Sequence, residues 1–280
     1  MFKKTKITLA AFLAACSLFT AVACSQPQPP ISGDDTQISA PDNSENGSMD
    51  SSSGNGTTDT VLPETPPKPT SQQYVYCKAD SVNLRSGAGT SFSILGQAEE
   101  GTMYAITGKV GNWYQTYYRG KTAYIYTEYA SVFTLPLSKN EKTEEVIAEA
   151  YKHIGVPYVY GAVRLHDGKG NFLKGFTAQK FDCSSLVQYV YYHGAGKILN
   201  TTTRTQIKQG TYVHPNDLQR GDCIFFTNET RQYLSGIERV GHVAIYLGNN
   251  YILHTASDYA RIEKMSKARW DFYIEARRFL

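Results

Sequence analysis

The chain has 280 residues, 12% of them aromatic, and carries 28 lysines and arginines against 25 aspartates and glutamates, a formal charge of +3. That length, with 21 tyrosines, is enough for more than one hydrophobic core. So small a surplus gives no ground for a nucleic-acid partner. No spacing among the cysteines and histidines suggests a zinc site, and no metal or cofactor is expected.

Residues 1–6 are basic, residues 7–23 are apolar and small, and Ser25-Gln26-Pro27 follows at once, the layout of an export signal over 1–23. Ala21-Val22-Ala23 satisfies the cleavage pattern and Cys24 stands next to the cut. Small residues followed by cysteine resemble the lipobox of bacterial lipoproteins, which implies that Cys24 takes diacylglycerol and becomes the new N-terminus. Cys16, after Leu13-Ala14-Ala15, is an equally good local match, but cutting there leaves the apolar run 18–23 unexplained. The expectation is an exported protein held in the cell envelope by a lipid on Cys24, with plain secretion as the alternative. Residues 24–72 are polar and Pro/Ser/Gly-rich, with seven acids against one lysine, so they read as an extended, disordered tether. The body, 73–280, then has 24 basic and 18 acidic residues, a surplus suited to an anionic envelope. It holds Cys77, Cys183 and Cys223. Three is an odd number, so at least one is unpaired; a Cys77–Cys223 disulfide is allowed and nothing requires it.

From 73 to 135 short apolar runs alternate with turn signals such as Ser86-Gly87-Ala88-Gly89, Gly111-Asn112 and Arg119-Gly120-Lys121. Strands at 103–107, 113–118 and 123–126 fit a small all-β barrel. Val82-Asn83-Leu84-Arg85-Ser86-Gly87, Ile94-Leu95-Gly96, Gly111-Asn112-Trp113-Tyr114 and Gly120-Lys121-Thr122-Ala123-Tyr124-Ile125 resemble successive landmarks of a bacterial SH3 domain. The family usually has Gly-Trp where Ala123-Tyr124 stands.

After a connector at 135–140, Ser138-x-x-Glu141 is a candidate capping box. Val146, Ile147, Ala150 and Ile154 follow at helical spacing, ended by Gly155. A loop of about 18 residues, rich in Gly and Lys, leads to Phe181-Asp182-Cys183-Ser184-Ser185-Leu186-Val187. Leu186, Val187 and Val190 predict an amphipathic helix that starts near Cys183, with Gly194 as its stop. First-turn N–H groups lack intrahelical acceptors and the helix dipole is positive there, which favours a thiolate. Cysteines so placed can have pKa values lowered to roughly 3.5–7.5, so Cys183 is a candidate nucleophile. Packing as a small hydrophobe is the alternative. Strands predicted at 222–226, 242–247, 251–255 and 272–278 complete an α+β arrangement, with helices packed on an antiparallel sheet over 140–280.

A thiol nucleophile needs a base, and six histidines are available. His153 reads as a surface imidazolium at a helix C-terminus, His193 and His214 sit in turns, and His166 lies in the long loop. His242 and His254 lie on two strands joined by Gly248-Asn249-Asn250. A three-residue loop pairs Leu247 with Tyr251 and Ala244 with His254. Both imidazoles then share one face at a diagonal distance of roughly 7–8 Å between backbones. A two-residue loop puts them on opposite faces.

Pro157-Tyr158-Val159-Tyr160-Gly161, Phe181-Asp182-Cys183-Ser184, Leu218-Gln219-Arg220-Gly221-Asp222 and Gly241-His242-Val243-Ala244-Ile245-Tyr246-Leu247-Gly248, followed by His254, resemble the NlpC/P60 family of cell-wall cysteine peptidases in motif order. The departures are Ala162 and Ser185 where glycine is usual, and long loops at 163–180 and 228–239. The resemblance implies a papain-like α+β domain that cleaves peptidoglycan stem peptides between γ-D-glutamate and the diamino acid. Cys183 would be the nucleophile, His242 the base, and His254 the residue that holds His242. The Cys183 N–H and the Tyr160 hydroxyl would bind the oxyanion. Asp182 either caps its helix or, with Ser184, binds a substrate ammonium. The resemblance also suggests that the SH3 domain narrows the cleft toward peptides with a free N-terminal L-alanine. Two alternatives stand beside this reading: an endopeptidase that cuts intact wall, and a silent wall-binding lipoprotein.

Overall fold

The turn at Arg119-Gly120 shows how the first part of the chain folds. Both residues have positive φ, 50° and 77°, the conformation of a type I′ hairpin turn. They join β6 (Trp113–Tyr118) to β7 (Lys121–Tyr126), on which Ala123 and Ile125 alternate inward. The same sheet holds β2 (Val82–Arg85), β3 (Ile94–Ala98) and β5 (Gly108–Val110), in the order β3-β2-β7-β6-β5. A second sheet pairs β1 (Ser71–Cys77) with β4 (Met103–Ala105) on one side and β8 (Ala130–Pro136) on the other. The strand expected to run to 107 ends at Ala105. Ile106 N–H still donates to Gln73 of β1, but Thr107 N–H donates to Gln115 of β6, so the chain passes there from one sheet to the other.

The computed structural model describes residues 68–280, all within one compact unit. The export signal, Cys16, Cys24 and all but the last residues of the tether lie outside them. Among the described residues no helix is long and apolar enough to cross a membrane.

Helix α1 (Glu141–Lys152) begins one residue after Asn140, whose side chain accepts from the Lys142 N–H at 3.0 Å. Asn140, and not Ser138, is therefore its cap; Ser138 instead accepts from the Asn140 N–H at 3.1 Å. Helix α2 (Cys183–Ala195) runs past the expected stop and ends at Gly196, with φ of 64°. Gly194 serves packing: a Cβ there would lie 2.4 Å from the Val146 Cα of α1, so glycine lets the two helices touch. His153 is no surface imidazolium. It is buried between Phe181 and Tyr189, and its Nε2 lies 3.4 Å from Glu149.

The remaining elements are α3 (Thr203–Gln206), β9 (Thr211–Val213), β10 (Cys223–Phe226), β11 (His242–Gly248), β12 (Tyr251–Ala256), β13 (Tyr259–Lys264), α4 (Lys267–Asp271) and β14 (Tyr273–Arg278). Six strands form one antiparallel sheet in the order β13-β12-β11-β10-β14-β9. Val243, Ile245 and Leu253 join the main core with α1 and α2, while Ile224, Phe226, Ala244 and Ile252 form a second cluster. The architecture is α+β: a small barrel-like β unit followed by helices on an antiparallel sheet.

Arg220 joins the two parts. It grips Glu144 of α1 at 2.7 and 3.0 Å, donates to the hydroxyls of Tyr74 on β1 and Tyr151 on α1, each at 2.9 Å, and reaches the Leu247 carbonyl at 3.1 Å. The two tyrosine hydroxyls also hydrogen-bond each other. Beside this cluster the β6–β7 turn donates from the N–H groups of Arg119 and Gly120 to the carbonyls of Ile154 and Lys152, at 2.9 and 2.7 Å. These supply donors at the end of α1, where the helix has none of its own. Cys77, Cys183 and Cys223 are all buried free thiols, so no disulfide joins Cys77 to Cys223.

Candidate active site

Cys183 opens α2 because Asp182 caps it. Asp182 Oδ1 accepts from the Ser185 N–H at 2.8 Å, and Ser185 Oγ returns the bond to the Asp182 N–H at 2.8 Å, a reciprocal box. Serine in place of the usual glycine thus completes the cap. Cys183 is only 7% exposed. Burial, and then the charge of Asp182, push its thiol up to about 12, against the smaller help of the Val243 and Ser184 N–H groups. Burial and the Asp182 carboxylate thus oppose the lowering that helix position alone would give.

The two histidines meet. His242 Nε2 lies 2.8 Å from His254 Nδ1, with the rings 5.0 Å apart and 9% and 1% exposed. Their common face is reached by a route other than the expected three-residue loop. Asn249 and Asn250, with φ of 50° and 66°, make a two-residue turn between the paired Gly248 and Tyr251. A bulge at Leu247 then shifts the register, so that Tyr246 pairs with Ile252 and Ile245 with Leu253. The extra residue cancels the flip that a two-residue turn imposes, and the Arg220 guanidinium takes the carbonyl of the bulged Leu247. Burial drives the pKa of both imidazoles down, His242 well below its ordinary value. A neutral imidazole and a neutral thiol are therefore the resting pair. Among the described residues no hydrogen bond joins Cys183 Sγ to either ring, a looseness common in unliganded sites.

Cys183 lines a cleft of about 150 Å³ together with Tyr158, Tyr160, Arg164, Asp182 and Ser184. Tyr160 stands at the rim, 83% exposed. Every residue that lines this pocket falls between 158 and 241, outside the β unit at 71–136. The β unit packs against α1, β11 and β13. The Asp182 carboxylate is fully engaged. Oδ1 also accepts from Ser184 Oγ at 3.0 Å, and Oδ2 accepts from the Gly161 N–H at 3.2 Å and Arg164 Nη2 at 2.7 Å. Arg164 is held in turn by the carbonyls of Ala162 and Thr201, at 2.6 and 2.8 Å.

Arg164 escaped the sequence reading because it lies in a loop of no periodicity. So did Glu263, whose Oε2 is 3.3 Å from His254 Nε2, and Arg269, which holds Glu263 Oε1 at 2.9 Å. The alternation Ala260-Arg261-Ile262-Glu263 was a strand signal that could have placed Glu263.

The family model described as NlpC/P60 matches residues 155–278, and the bacterial SH3 domain model matches residues 80–131. The chain carries an NlpC/P60 domain. Relatives include a gamma-DL-glutamyl hydrolase of Bacillus subtilis, 34% identical over 45% of this chain and 26% of that protein. Another is the peptidoglycan endopeptidase RipB of Mycobacterium tuberculosis, 30% identical over 44% of this chain and 46% of that protein. The chain thus spans between about a quarter and a half of these two curated relatives. Among solved structures, an NlpC/P60 family protein of Bacillus cereus matches at 19% identity with a TM-score of 0.40, covering 75% of this chain and 64% of that one.

Proposed function

We propose that the protein is a cysteine peptidase that hydrolyses peptidoglycan stem peptides at the γ-D-glutamyl–diamino acid bond. The observation that carries this reading is the His242–His254 pair at 2.8 Å, with Gly241, the neighbour of His242, lining the same cleft as Cys183. His242 takes the thiol proton as Sγ attacks the γ-carbonyl carbon. The oxyanion is met by the Cys183 N–H and the Tyr160 hydroxyl, donors of a kind worth about 2.7–4 kcal/mol each in other hydrolases. The C–N bond breaks as His242 gives its proton to the leaving amine. Water, deprotonated by the same imidazole, then cleaves the thioester and the thiol is restored. Because thiol and imidazole rest neutral, proton transfer and attack are coupled to substrate arrival. The relatives named a gamma-DL-glutamyl hydrolase and a peptidoglycan endopeptidase support the bond and the wall substrate. Export, a lipid on Cys24 with Cys16 as the alternative, and wall contact through the SH3 domain belong to the same reading.

Two specificities remain: fragments with a free N-terminal L-alanine, and intact wall. The first needs Asp182 to receive an ammonium, yet Arg164 already fills that place with its own cation. This contact favours the second. Mass spectrometry of products from free L-Ala-γ-D-Glu-diamino-acid peptides and from intact peptidoglycan, with Cys183→Ala as control, tests both levels. Cys183-dependent cutting of intact wall supports the second specificity, and cutting of free peptides alone restores the first. No Cys183-dependent product from either substrate leaves the silent wall-binding lipoprotein. Arg164→Ala should raise the rate on free peptides relative to wall by uncovering Asp182.

A further inference from the structure

The 2.8 Å contact between His242 Nε2 and His254 Nδ1 holds one proton, and its position matters for a base. If the proton belongs to His254 Nδ1, neutral His242 carries its own on Nδ1 and has no lone pair left there. If it belongs to His242 Nε2, His242 Nδ1 is free and His254 carries its proton on Nε2. The two arrangements differ at one further place, His254 Nε2, which is fully buried and faces Glu263.

We propose that Glu263 is a positioning residue that fixes both tautomers, holding the proton of His254 on Nε2 and thereby leaving His242 Nδ1 as the free base. The proposal rests on the cysteine-peptidase reading for its consequence, but the tautomers themselves can be observed without a substrate.

Glu263 lies on β13, opposite Ile252 in the ladder, and so is the diagonal neighbour of His254 on the same face of the sheet. Arg269 of α4 binds Glu263 Oε1 through Nε at 3.2 Å and Nη2 at 2.9 Å, which leaves Oε2 turned to His254 Nε2 at 3.3 Å. That last contact is an ion-pair distance off the alignment of a full hydrogen bond, so it acts chiefly through charge. A carboxylate at that distance favours an N–H over a lone pair on the facing nitrogen. Burial alone would raise the Glu263 pKa, but His254 and Arg269 outweigh it and bring the group down to about 2, so the charge persists at every working pH. The other ionisable groups that line the same groove of about 250 Å³ are Tyr259 and Arg261 on its own strand and, from the SH3 part, Glu99, Glu100 and Tyr104. Neither glutamate is in ion-pair contact with a described histidine.

The site thus reads as an ordered line, Arg269 to Glu263 to His254 to His242, ending on the atom that must accept the Cys183 proton. Loss of tautomer control by the residue next to the base costs about 10⁴-fold in a serine triad. One residue further away, a loss of about 10- to 100-fold is expected, in line with other supporting residues around functional groups.

The test is ¹⁵N NMR of the histidine-labelled chain, read beside kinetics on the substrate identified above. The expected spectrum has His242 and His254 both neutral and both protonated on Nε2. Glu263→Leu, which removes the acceptor, should populate the His254 Nδ1–H form and lower kcat by about 10- to 100-fold with KM little changed. It should also move the acid limb of the pH profile to lower pH, since the carboxylate no longer stabilises an imidazolium. Glu263→Asp should recover part of the rate. Glu263→Gln keeps a partner for Arg269 and carries the test if the Leu variant does not fold. A wild-type spectrum with the proton on His254 Nδ1, or Glu263 variants with unchanged tautomers and kcat, would overturn the proposal. A protein with the expected tautomers but no peptidase activity would retain it and sink the functional reading instead.

Discussion

Replacing Arg220 with methionine removes the donor to five acceptor atoms at once: both Glu144 oxygens, the Tyr74 and Tyr151 hydroxyls and the Leu247 carbonyl. Breaking one side of a buried ion pair costs about 3–5 kcal/mol. Glu144 keeps 23% of its side chain in contact with solvent. The lower end, about 3 kcal/mol, is therefore the better figure, still a large share of a typical total of about 5–15 kcal/mol. The chain has two tryptophans, Trp113 in β6 and Trp270 in α4, one in each part. With Trp113→Phe and Trp270→Phe backgrounds, urea unfolding can be followed in each part separately. With Arg220 intact the two transitions should coincide; in Arg220→Met both midpoints should fall and the β part at 71–136 should separate from the α+β part. Adding Glu144→Leu should recover some of the loss, because no buried carboxylate is then left without its partner. A loss below about 1 kcal/mol, with coincident transitions, would refute the assignment of Arg220 as the tie between the two parts.

Stability should fall on acidification in two windows. His242 and His254 have pKa values depressed by burial, so their contribution is complete above the unfolded value near 6.5 and is lost as pH drops below it, at up to about 1.4 kcal/mol per pH unit for each proton. Glu149 and Glu263, both near 2 in the folded chain, add a second loss between about 4.5 and 2. Melting temperature against pH checks this, and His242→Asn should flatten the first window. Gly194→Ala should destabilise by about 1–3 kcal/mol, since the added methyl meets helix backbone rather than a movable side chain. Urea titration reads it directly, and an unchanged midpoint would show that the helices can part at no cost. Asp182→Ala should cost about 1 kcal/mol for the cap alone and more for the stranded Arg164, with Asp182→Asn recovering the cap but not the ion pair. The same titration separates the two variants.

Much of this was legible in the sequence because it depends on near neighbours. The period of Leu186, Val187 and Val190 placed α2, and Asp182 with Cys183 marked its start, since capping is written within four residues. Strands 113–118 and 242–247 were legible from composition and turn residues. What was missed depends on contacts across the fold. Position alone could not say that burial would raise the Cys183 thiol, nor that Gly194 would be a contact instead of a stop. His153 looked like a surface cation because the aromatic rings that enclose it come from the far side of the loop. Arg164 lies 18 residues before Asp182, and only the folded loop brings its guanidinium to that carboxylate. The hairpin register was right for the two histidines although the turn was not, because one misjudged loop residue was compensated by an unforeseen bulge.

That compensation makes the site a matter of parity. The paired residues must bring the second imidazole to the side of the first, and at the spacing of this chain the bulge at Leu247 lets a two-residue turn do so. Changes of length in this hairpin are therefore not graded by size. Removing Leu247 should close the bulge and keep Tyr246 opposite Ile252, Ile245 opposite Leu253 and the two rings in contact, whereas one residue inserted between His242 and Ala244 should turn His242 away from His254. Changes of length are therefore tolerated at the turn and at the bulge, whose carbonyl Arg220 holds, and not within the paired stretch that carries either histidine.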